Sequence, residues 1–310
     1  MTFKNQVLAT CAALGLLATA AQAADPESCK AVRLSDPGWT EIGVMNGIAG
    51  ILYDALGYQS ESKVLSLPVT FASMKTKDID VFFGNWMPSQ AADIQPYFDD
   101  KSVENLSVNM EGAGYGIVVP QYVADAGVKS VTDIMAHKDK FGGKFYGIEP
   151  GNDGNRSILT IISEEKNNLA GFELIESSEA GMLTEAEKAM KNNEWILFLA
   201  WTPHPVFGEM KIHYVEGVNS YGFGPATVYT NTRAGWAAEC PNAAKLVSNF
   251  KYDLKMVGGM MAPVLKDGKD QKVVAAEWVR ANPDTVNKWL DGVTTIDGGD
   301  AMAAVAAALK

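Results

Sequence analysis

Ile79-Asp80-Val81-Phe82-Phe83-Gly84-Asn85-Trp86-Met87-Pro88 sets a β-branched and aromatic run against a glycine and places a tryptophan just beyond it. The run 79–83 reads as a buried strand that Gly84 ends, so Trp86 is expected on the loop leaving a sheet edge. Ligands of open α/β sheets bind at that end. A lone tryptophan there would most simply be a core plug, but the pattern recurs. Trp195-Ile196-Leu197-Phe198-Leu199-Ala200 reads as a second buried strand, and Trp201 follows it at once.

Outward from this stretch, short apolar runs alternate with amphipathic ones. Residues 31–35 read as a first strand and 36–41 as a loop carrying Trp39. Residues 44–56 have helical spacing and stop at Gly57. A second strand is expected over 64–69 and a short helix over 70–77. Strand, helix, strand, helix, strand predicts a parallel sheet. From Tyr115 a new alternation begins, with strands at 114–120 and 144–148, an amphipathic stretch at 131–137 and a helix from 157. Residues 226–231 read as a return strand, and helices are expected over 240–254, 271–281 and 283–290.

The first residues carry Lys4, an apolar run over 7–20 and the small-residue pattern Ala21-Gln22-Ala23, which together read as a secretory signal peptide over 1–23. The run is too short to span a bilayer. Export to the periplasm is therefore expected. The formal net charge is −11 and becomes one unit more negative when Lys4 leaves. An acidic chain with no basic cluster excludes nucleic acid as the expected partner and is compatible with a cationic ligand. Cys29 and Cys240 remain after processing, and in an oxidising compartment such a pair is expected to bridge. If they bridge, residues 24–112 and 227–310 form one discontinuous lobe and 113–226 the other. The expected fold class is α/β, with two lobes, a two-strand hinge and a ligand cleft between them.

Trp39, Trp86, Tyr115 and Trp201 all fall at loop ends or at the crossover. If topology brings them together, they form a box of electron-rich ring faces. Such a box suits a quaternary ammonium, which has no N–H to donate and is drawn to ring faces by about 0.5–2 kcal/mol each.

Gly38-Trp39-Thr40, the stretch 84–88, Gly147-Ile148-Glu149-Pro150-Gly151-Asn152-Asp153-Gly154-Asn155 and Trp201-Thr202-Pro203-His204-Pro205 resemble the periplasmic choline-binding proteins of bacterial ABC importers, within the wider glycine betaine and choline substrate-binding family. The resemblance covers essentially the whole mature chain. It implies a monomeric, two-lobed receptor of the periplasmic-binding-protein fold (type II-like) that closes at a hinge and hands its ligand to a membrane permease. It also implies that Trp39, Trp86, Tyr115 and Trp201 form the aromatic box and that Asn152 hydrogen-bonds a ligand hydroxyl. One position departs: where the pattern has Asp two residues after the first tryptophan, this chain has Glu41. The carboxylate is kept and its reach grows by a methylene. Glycine betaine, carnitine and trimethylamine N-oxide therefore stay open beside choline. The segment between Pro205 and Ala226 also differs and is expected to alter one wall of the cleft.

Other chemistry is poorly supported. His204 between prolines reads as structural, and neither His137 nor His213 has ligand spacing to another His or Cys, so no metal is expected. Gly112-Ala113-Gly114-Tyr115-Gly116 lacks dinucleotide spacing and implies no cofactor. Asp78 and Asp80 flank a strand start and read as solvated or turn acids. An enzyme acting on a choline-like compound finds no Gly-x-Ser-x-Gly and no Ser/His/acid set. A receptor domain that senses osmolytes would share the binding site and differ only in its partner.

Overall fold

The computed structural model describes residues 25–309. The expected signal peptide lies outside the described residues. Nine strands form one sheet: β1 (Ala31–Asp36), β2 (Gln59–Val64), β3 (Val81–Met87), β4 (Val103–Pro120), β5 (Lys144–Tyr146), β6 (Glu173–Ile175), β7 (Phe198–Thr202), β8 (Ile212–Tyr214) and β9 (Gly224–Arg233). Their order is β2-β1-β3-β9-β4-β7-β5-β6, with β8 added beside β4. The strands β2, β1 and β3 are parallel, as the alternation predicts, and so are β7, β5 and β6. Between these two parallel groups run β9 and β4, antiparallel to each other and to their neighbours. The register of β4 on β9 shifts three times between Asn105 and Ala113. Such bulges bend a ladder and increase its twist, so the two long strands turn the sheet from one group to the other.

Several elements differ from the sequence reading for physical reasons. The second strand lies before 64–69, at β2. It is an edge strand reading Gln-Ser-Glu-Ser-Lys-Val, largely solvent-facing, so it lacks the apolar alternation that marks a half-buried strand. The apolar residues after it belong to the helix Leu67–Lys75, which starts behind Ser66 with Pro68 in its first turn. The first helix begins earlier than its apolar pattern, at Thr40–Ala55, so Glu41 is helical and Trp39 is its N-cap. In β3, Gly84 marks a register shift between Phe82 and Asn85 rather than an end, and Trp86 pairs with Val228 of β9. Trp201 likewise lies inside β7, opposite Tyr115 of β4. The expected helix 240–254 is two, Pro241–Asn249 and Leu254–Asp267. Asp80 is neither solvated nor in a turn: it is buried and accepts from Arg33 and Arg233.

Helix Thr40–Ala55 is apolar on most faces because it is covered on most faces. A Cβ at Gly47 would lie 2.8 Å from Ala275 Cβ, so glycine there lets helix Gln271–Ala281 approach closely. Cys29 and Cys240 are joined in a disulfide with Cα atoms 5.5 Å apart. Just before it, Asp25 accepts from the N–H groups of Asn242 and Ala243, both at 2.9 Å, capping helix Pro241–Asn249. The start of the described chain is thus fastened to its last third.

Candidate functional site

Gly38, at φ +90°, makes the tight exit from β1, and its N–H donates to Asp36. That turn delivers Trp39 to the N-terminus of helix Thr40–Ala55. The indole Nε1–H of Trp39 donates to Glu149 Oε1 at 3.0 Å. Trp86 and Tyr115 lie 6.1 Å apart between ring centroids, and Tyr115 and Trp201 lie 6.3 Å apart at 78°. Sheet register explains the second contact, since Tyr115 and Trp201 are directly opposed on β4 and β7. Phe223 packs edge-on against Tyr115 at 5.3 Å. It comes from the segment between Pro205 and Ala226, which thus packs against Tyr115.

Trp39, Glu41, Trp86, Tyr115, Asn152 and Trp201, all read from the sequence, line one small cavity. The void fits a compact solute. Gln90, Ile148 and Asp153 complete the lining and were not read from the sequence. Asp153 had a signal, since it adjoins Asn152 inside the long motif 147–155. Gln90 had none: its amide donates to Gly84 O and accepts from Asn85, bracing the β3 bulge.

Asn152 is the N-cap of helix Asp153–Ser163. Its carbonyl oxygen accepts from Gly154 N–H at 2.8 Å and from Tyr115 hydroxyl at 3.1 Å, while its amide donates to Glu149 Oε1 at 2.9 Å. A Cβ on Gly154 would lie 1.9 Å from the Tyr115 hydroxyl oxygen, so only glycine admits that contact. With the carbonyl committed, the second amide N–H of Asn152 is what the side chain has left to offer a ligand.

The cavity is acidic. Burial, then the nearby Glu179 charge, pushes Glu41 well above the usual carboxylate range. Burial pushes Asp153 up to about 6 against an opposing Ser89 contact. It pushes Glu149, just outside the lining, up to about 7 despite hydrogen bonds from Asn152 and Trp39. Glu41 Oε2, Asp153 Oδ2 and the indole nitrogen of Trp201 are buried without a hydrogen-bond partner among the described residues. No basic side chain lines the cavity among those residues. Ring faces and unpartnered carboxyl groups around a small void are arranged to hold a compact cation.

The model of the substrate binding domain of the ABC-type glycine betaine transport system, OpuAC, matches residues 30–281. Among solved structures, an ABC-transporter choline binding protein in complex with choline is 48% identical, with TM-score 0.90 over 92% of this chain and 100% of that one. An ABC-transporter choline binding protein in an unliganded semi-closed conformation is 49% identical, with TM-score 0.83 over 91% of this chain and 99% of that one. At nearly equal identity the fit is better to the liganded form. The glycine betaine/carnitine transport binding protein GbuC of Listeria monocytogenes is 31% identical over 129 residues, 42% of this chain and 43% of that one. This two-lobed chain is a member of the OpuAC family, the substrate binding domains of ABC-type glycine betaine transport systems, and is a transport receptor rather than an enzyme.

Proposed function

We propose that the protein captures choline in the periplasm and delivers it to the permease of its importer. The observation that carries this reading is the cavity, with four aromatic faces, the buried acids Glu41 and Asp153, and no basic group in its lining. The box takes the trimethylammonium head, which ring faces attract and which needs no hydrogen bond. The tail is read by Asn152 and Glu41. A hydroxyl accepts from the second Asn152 N–H and donates to the unpartnered Glu41 oxygen, satisfying a group that otherwise stays orphaned. Residues 1–23 act as the export signal. The lobes divide at 112/113 and 226/227, giving 24–112 with 227–310, and 113–226. Ala113 and Ala226, paired across β4 and β9 next to the last register shift, support that division.

The second reading, glycine betaine, is favoured by the matching family model and by the name of the Listeria relative. Its carboxylate would meet the Glu41 carboxyl in a dry cavity, where repulsion is relieved by keeping Glu41 protonated or by turning it away. Calorimetric titration with choline, acetylcholine, glycine betaine, carnitine and trimethylamine N-oxide tests the proposal. Choline is expected to bind at least about tenfold, roughly 1.4 kcal/mol, more tightly than glycine betaine. Glu41→Gln should narrow that gap, because an amide can donate to a ligand carboxylate. Equal or tighter binding of glycine betaine by the native protein would overturn the choice of choline.

A further inference from the structure

A buried acid outside the cavity connects the two lobes. Glu179 opens helix Glu179–Lys191, on the β5–β7 side, and is 3% exposed. Its Oε2 accepts the backbone N–H of Thr40 at 2.7 Å. Its Oε1 meets Nε2 of His204 at 3.1 Å, and Nδ1 of His204 accepts from Val206 N–H at 3.0 Å. The Val206 contact leaves the ring proton on Nε2, which therefore donates to Glu179. His204 also packs edge-on against Trp201, with centroids 4.9 Å apart.

Thr40 is the first residue of a helix that has no side-chain cap of its own, and it lies between two cavity residues, Trp39 and Glu41. A helix start needs partners for its free N–H groups. Here a carboxylate supplied by the opposite lobe provides one, and the imidazole behind that carboxylate touches the aromatic box. We infer that Glu179, oriented by His204, is a closure latch: it forms its bond to Thr40 N–H only when the lobes meet and so prolongs the ligand-bound state. The inference rests on the proposed division into lobes and on capture of a quaternary ammonium ligand. Glu179 does not line the cavity, so it acts by positioning. The ion pair across the same seam, Arg156 to Asp93, has an arginine side chain 42% exposed and is open to solvent screening, and Glu149 reaches across to the indole of Trp39. The Glu179 contact is dry.

The test is stopped-flow tryptophan fluorescence and solution scattering with choline as first probe and glycine betaine as second. Glu179→Ala is expected to raise the ligand off-rate about tenfold or more and leave the on-rate near native, while the ligand-free melting temperature falls because the buried His204 Nε2–H loses its acceptor. Glu179→Gln should fall between, since its amide has one acceptor oxygen for two donors. Wild-type off-rate and compaction in Glu179→Ala would overturn the latch, as would an on-rate that falls as much as the off-rate rises. If neither probe binds the native protein, the functional reading fails and the latch fails with it. Native binding with unaffected variants removes the latch alone.

Discussion

Each buried side chain in the cavity is placed to act through one physical property, and each can be tested through that property. Trp86 offers a ring face. Trp86→Ala should lose roughly 2 kcal/mol of choline binding, about thirtyfold, while Trp86→Phe keeps a face and loses less. Equal affinity for native protein and Trp86→Ala would make Trp86 a core residue. The acids offer charge. A bound cation favours the ionised form of Glu41, of Asp153 (about 6) and of Glu149 (about 7), so binding releases protons and affinity rises with pH. Choline carries a permanent charge and does not titrate. Its affinity is therefore expected to fall as pH drops through about 7 to 6, and Asp153→Asn should flatten that dependence; an affinity that is constant from pH 5 to 8 would rule it out. Folding responds with the opposite sign. A carboxyl whose folded value is raised holds its proton more tightly than the unfolded chain does, so the ligand-free closed form loses stability as pH rises from the ordinary carboxylate range to about 7.

Among the elements, helix Asp153–Ser163 shows how one residue joins fold and site. Asn152 caps it with the carbonyl, and in the proposed function its second amide N–H reads the ligand. Asn152→Ser retains a capping oxygen and should melt near the native temperature yet bind choline more weakly. Asn152→Ala loses both, with about 1 kcal/mol from the cap; matching melting temperatures for the two variants would show that the cap adds nothing to stability. This element also marks where sequence reasoning works. The tryptophans were legible because each follows a turn or a strand-like run, and the motif 147–155 because it resembles the choline-binding family. Helix Gln271–Ala281 was legible because its apolar period is regular. The edge strand β2 was not, because an edge strand with solvated faces has no apolar period to read. Residues 103–113 of β4 were missed as well: they pair with β9 through bulges, which interrupt the alternation of period two. Glu179 was illegible for a different reason. Its partners are a backbone N–H of Thr40, 139 residues away, and a histidine ring, and no local pattern encodes a contact of that kind.

At the scale of the whole molecule, the sheet concentrates motion in one place. The disulfide and the Asp25 cap fasten the start of the described chain to the lobe that carries β1–β3, leaving β4 and β9 to carry the sheet from one lobe to the other. The cavity walls divide accordingly. Trp39, Glu41 and Trp86 stand on the β1–β3 side, Asn152, Asp153 and Trp201 on the β5–β7 side, and Tyr115 on the crossing strand β4. A ligand can touch both walls only when they approach, so its differential affinity for the closed form sets how far closure is driven. The buried acids add to this, because an empty closed cleft holds carboxyl groups that resist ionisation, whereas a filled one supplies the compensating charge. The ligand-free protein at neutral pH should therefore be the more open, and saturating choline should reduce its radius of gyration in solution scattering. Glu41→Gln removes one of these charges and should bring the ligand-free radius closer to the bound one. A radius that does not change on saturation with choline would show that the lobes do not close around it, and the division of the cavity between two moving walls would then have to be abandoned.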